Sequence, residues 1–62
     1  MKRRKFITHL ETHGCHLYRE GGKHTLYYNS ANKQVASVPR HKETSEFTAY
    51  AICQALRVPR PK

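Results

Sequence analysis

The chain has 62 residues, with twelve Lys or Arg against four acidic residues, all Glu, so its formal net charge is +8. That length allows one small domain with a thin core, burying only about 60% of the surface its unfolded form exposes, and excludes a dinucleotide fold, a barrel enzyme and a two-lobed kinase. The charge favours a polyanionic partner, whether nucleic acid, anionic membrane or acidic protein, while 37% hydrophobic residues and six aromatics indicate a folded domain rather than a basic tail.

No run approaches the roughly 18 apolar residues of a membrane span. The basic N-terminus is followed by apolar residues interrupted by His9, Glu11 and His13, unlike a signal peptide. The expected compartment is the cytoplasm, where Cys15 and Cys53 would be free thiols.

Five short elements follow in chain order. Lys2 to His13 reads as a helix, because Phe6, Ile7 and Leu10 form one apolar stripe at helical spacing. Gly14 is its expected positive-φ stop. Cys15 to Glu20 reads as a strand, with Leu17 and Tyr18 on opposite faces. Gly21-Gly22 marks a turn. His24 to Asn29 is a second strand, rich in β-formers. A polar turn at 30–33 leads to a third strand, Gln34 to Val38, stopped by Pro39. Thr44 or Ser45 can cap a second helix running to Leu56, with Ala49, Ile52, Cys53 and Leu56 as its core stripe. Residues 59–62 read as a frayed basic tail containing proline.

The order α-β-β-β-α with short connections implies an α+β fold: a three-stranded antiparallel meander with both helices on one face. Phe47 and Tyr50 fall on the other side of the second helix. Either Phe47 folds back under the loop, or the two rings form a face that docks a protein.

The chemistry narrows by elimination. Five His and two Cys lack the spacing of a metal motif, and no cofactor or metal is expected. Gly21-Gly22-Lys23 lacks the rest of a phosphate loop, yet a glycine turn lets a polyanion approach. Four Glu cannot readily furnish a two-metal nuclease site. Histidine remains. An unperturbed imidazole, with a pKa of about 6.5, gives or takes a proton near neutrality, and RNA carries its own nucleophile, the 2′-hydroxyl. One His among cations would then suffice. His24, after the glycine turn and beside Lys23, is the best placed.

These residues carry a resemblance. Gly22-Lys23-His24 followed by Thr-Leu-Tyr-Tyr resembles the Gly-x-His motif of the HicA family of toxin endoribonucleases. Val38-Pro39-Arg40-His41-Lys42-Glu43 resembles that family's Val-Pro-Arg-His segment, and Leu10-Glu11-x-x-Gly14 its first helix end. The likeness covers about residues 1–58 as a single domain. It implies a double-stranded-RNA-binding-domain-like fold and an mRNA interferase of a type II toxin–antitoxin pair, neutralised by a HicB-like antitoxin, with His24 as the catalytic residue. The chain departs from the commoner pattern at Phe47-Thr48-Ala49 and at Tyr50; Phe47 and Tyr50 are the candidate antitoxin contacts.

On this reading Gly22, Lys23 and Arg40 hold phosphate, and Lys2, Arg3, Arg4, Arg19 and Lys42 supply a sequence-independent basic surface. His41 is either a second acid/base or a residue that orders its loop through a backbone hydrogen bond. Tyr18 or Tyr28 either packs or stacks on a base of single-stranded RNA. The free toxin is expected to be monomeric. Two rival readings are a non-catalytic RNA-binding module of the same fold and a basic protein-interaction adaptor.

Overall fold

A computed structural model describes residues 1–61; Lys62, the last residue of the expected tail, lies outside the described residues. The elements are α1 (Arg3–Thr12), β1 (Cys15–Glu20), β2 (His24–Asn29), β3 (Val35–Pro39) and α2 (Glu46–Leu56). The strands form one antiparallel sheet in the order β1-β2-β3.

One core joins the layers. Phe6 and Leu10 of α1 meet Cys15, Tyr27 and Val38 of the sheet and Ala49, Ile52, Cys53 and Leu56 of α2. Both helices therefore cover the same face of the sheet, and the other face stays open. Burying Leu10 or Leu56 fully contributes about 1.5–3 kcal/mol each. Ile7 sits at the margin of this cluster.

The helix ends follow local chemistry. Gly14, at φ +85°, stops α1 as its missing Cβ allows. Ser45 rather than Thr44 caps α2: its Oγ accepts the Thr48 amide at 3.1 Å. Thr44 is buried instead, donating its amide to the Met1 carbonyl at 2.8 Å.

Three expectations change. Leu17 and Tyr18 do not alternate between core and solvent; both are exposed, at 51% and 60%. The register shifts between Leu17, which pairs with Tyr27, and Arg19, which pairs with Leu26, so Tyr18 is an extra residue without a partner on β2. β3 begins at Val35 and includes Pro39, tolerated because it ends an edge strand. The segment after α2 is docked rather than frayed. Arg57 adopts a left-handed conformation, the Val58 amide returns to the Cys53 carbonyl at 2.9 Å, and Val58 packs on the core. His9 Nε2 then meets the Pro59 carbonyl at 2.7 Å, and Arg60 lies 5.1 Å over the Tyr50 ring.

Candidate active site

The β1–β2 hairpin brings the first half of the site. Gly21 N–H donates to the His24 carbonyl at 2.9 Å and closes the turn. A Cβ on Gly22 would meet nothing within 4 Å, so this side of the turn is open to an approaching ligand. His24 opens β2. Thr25, Tyr27 and Asn29 point into the core, so the strand alternation turns His24 outward.

Strand register brings the second half. His24 pairs with Pro39 of β3, and Arg40 and His41 follow Pro39 directly. Gly22, Lys23, His24, Arg40 and His41 consequently line one shallow depression. Two segments remote in sequence thus place two imidazoles beside an ammonium and a guanidinium.

Thr25 Oγ1 holds Arg40 and, with it, Arg3 of α1. It accepts Arg40 Nε at 3.3 Å and Arg3 Nη2 at 3.4 Å. Arg3 Nε also donates to the Pro39 carbonyl at 3.1 Å. Arg3 is half-buried, so it serves as a strut between α1, β2 and β3 rather than as a free surface charge. Arg40 Nη2 lies 3.6 Å from Glu20 Oε2, an exposed pair worth little to stability but aligned with the same orientation.

His41 makes no side-chain hydrogen bond among the described residues, so it does not order its loop by the expected backbone bond. The chain start does that work. Arg3 N–H donates to the Lys42 carbonyl at 2.9 Å, the Lys2 and Glu43 backbones form an isolated antiparallel β-bridge, and the Met1 ammonium donates to the Thr44 carbonyl at 2.9 Å.

The remaining basic candidates separate into two places. Lys2, Arg3, Arg4, Lys5 and Lys42 line a second depression with Glu43. Lys5 joins it without having stood out in the sequence, because its role depends on the contact between α1 and the loop after β3. Arg19 is exposed on the open sheet face, outside the His24 depression. Phe47 is 84% exposed on α2, so it does not fold back under the loop. Tyr50 is half-buried beneath Arg60.

Both cysteines are buried free thiols. Burial pushes the Cys15 thiol up, and burial followed by the nearby Cys15 pushes Cys53 up to about 11. Neither suits a nucleophile at neutral pH. Among the described residues no group of three His, Cys, Asp or Glu could hold a metal ion. No helix among them is long and apolar enough to cross a membrane.

A family model described as the HicA toxin of bacterial toxin–antitoxin systems matches residues 3–58. The chain belongs to the HicA toxin family. The match takes in both helices and the whole sheet, and with them every residue lining the His24 depression. A HicA toxin implies an antitoxin partner. No curated protein and no solved structure gives a significant match.

Proposed function

We propose that this HicA chain is an endoribonuclease that cleaves mRNA through acid/base chemistry at His24, without a metal ion, and that a HicB-like antitoxin neutralises it. The observation that carries the proposal is the convergence of the exposed His24 imidazole with Lys23 and Arg40 at one open depression.

The substrate supplies the nucleophile. The 2′-hydroxyl of a ribose attacks the adjacent phosphorus; the new O–P bond forms as the bond to the 5′ oxygen breaks. His24 moves the proton of this exchange, at the attacking hydroxyl or at the leaving oxygen. Lys23 and Arg40 neutralise the charge gathering on the non-bridging oxygens. Arg40 arrives pre-oriented, because Thr25 and Glu20 hold its guanidinium. Lys2, Arg4 and Lys42 extend the positive field along the strand's path. His41, which lines the same depression as His24 and makes no side-chain hydrogen bond among the described residues, is available as the second proton carrier.

An mRNA substrate places the protein in the cytoplasm, and the free toxin acts as a monomer. Phe47, unburied on α2, is offered to the antitoxin.

The test compares a single-stranded RNA with the same strand built wholly of 2′-deoxyribose, both in EDTA. The RNA is cut and the deoxy strand stays intact. Binding of both strands with cleavage of neither would make the chain an RNA-binding module instead.

A further inference from the structure

We infer that the open face of the sheet carries a base-stacking subsite for single-stranded RNA, built from Tyr28 and Tyr18 and on the same face of β2 as His24. This subsite rests on the ribonuclease reading above and names how that site takes hold of its substrate.

The alternation of β2 puts Thr25, Tyr27 and Asn29 in the core. His24, Leu26 and Tyr28 therefore share the opposite face, which no helix covers. Tyr28 lies four residues along the strand from His24, about 13 Å at the usual rise. A base stacked on Tyr28 is thus not one flanking the phosphate at His24, and the subsite engages an oligonucleotide rather than a dinucleotide.

The irregularity in β1 supplies the second ring. In regular pairing, only one of Tyr18 and Arg19 would face outward. The shift between Leu17 and Arg19 leaves Tyr18 without a partner on β2 while Arg19 pairs with Leu26, and the contact of the Tyr18 ring with Tyr28 puts both residues on the open side. The Tyr18 ring stands edge-on to Tyr28 with centroids 5.9 Å apart, and the His16 ring lies 5.7 Å from Tyr28. Tyr18 is 60% exposed, so its ring is not serving the core.

Charge selects the occupant. Lys33 borders the same depression as Tyr18 and Tyr28, and Arg19 is exposed beside Tyr18. The acid at this end of β1, Glu20, is already engaged by Arg40. Flat rings flanked by cations match the alternation of bases and phosphates in a single strand. A duplex would keep its bases stacked on one another and unavailable to the tyrosines.

The experiment uses the full chain carrying His24→Ala, so that substrate survives, and follows fluorescence anisotropy at fixed ionic strength. The probes are a single-stranded RNA octamer and a ribodinucleotide. Tyr18→Ala, which removes an exposed ring and leaves the core intact, and Tyr28→Leu each weaken octamer binding at least about fivefold. Phe at either position restores it, and dinucleotide binding does not move. Unchanged octamer affinity in Tyr18→Ala and Tyr28→Leu overturns the subsite. So does a loss of affinity for the antitoxin with octamer binding intact, which would make the face a protein-docking surface. Cleavage by His24→Ala itself would sink the catalytic reading but leave these binding results to decide the subsite.

Discussion

Thr25 Oγ1 accepts hydrogen bonds from both Arg3 and Arg40, at 3.4 and 3.3 Å, directly beside His24 on β2. One buried hydroxyl thus links the α1 strut to the guanidinium proposed to hold phosphate. Thr25→Val keeps the shape and removes the acceptor. Stability falls by about 1 kcal/mol, measured by urea denaturation. The larger effect is on catalysis, because Arg40 loses its orientation: kcat/KM for RNA falls about tenfold while the fold persists. Unaltered kcat/KM would show that Arg40 needs no holding from Thr25.

The buried thiols make stability depend on alkaline pH. An unfolded thiol ionises near 9.0, whereas burial and the neighbouring Cys15 lift Cys53 to about 11. The folded state holds the proton more tightly. Its contribution is complete below pH 9.0 and is lost as pH rises through about 11. Urea midpoints therefore decline across that window. Cys53→Ala is less stable throughout, from the cavity it leaves, but its decline is shallower. Some slope remains, since burial raises Cys15 and Tyr27 as well. An unchanged slope in Cys53→Ala would contradict this assignment.

Phe47 presents most of its ring to solvent. Phe47→Ala changes stability by no more than about 0.5 kcal/mol. Its affinity for the cognate antitoxin, followed by calorimetry, drops at least about tenfold if the ring is an anchor of that complex. An equal affinity moves the antitoxin contact off this face of α2.

The limits of β1 and β2 and the stripe on α2 were all readable from residue pattern, because each is set by local periodicity and by glycine at the turns. His24 and Lys23 could be singled out for the same reason: turn and strand start are adjacent in sequence. What escaped was set by register. Nothing around Leu17 announces the shift that turns both Tyr18 and Arg19 outward, since no glycine or proline marks it. Arg3 looked like one of a run of surface cations. Only the pairing of His24 with Pro39 brings the Pro39 carbonyl and Thr25 within its reach. The residues after Leu56 carry the Pro and Arg of a loose end, yet Val58 finds the core and Arg60 finds Tyr50. Both contacts depend on the left-handed turn at Arg57, which no glycine signalled.

The most direct measurement is single-turnover cleavage of a single-stranded RNA in EDTA by the wild-type chain and by His24→Ala, with folding of both checked by circular dichroism. The wild type cuts the strand, and the variant, equally folded, is slower by at least about a hundredfold. Equal rates from the two proteins would show that the proton transfer does not belong to His24.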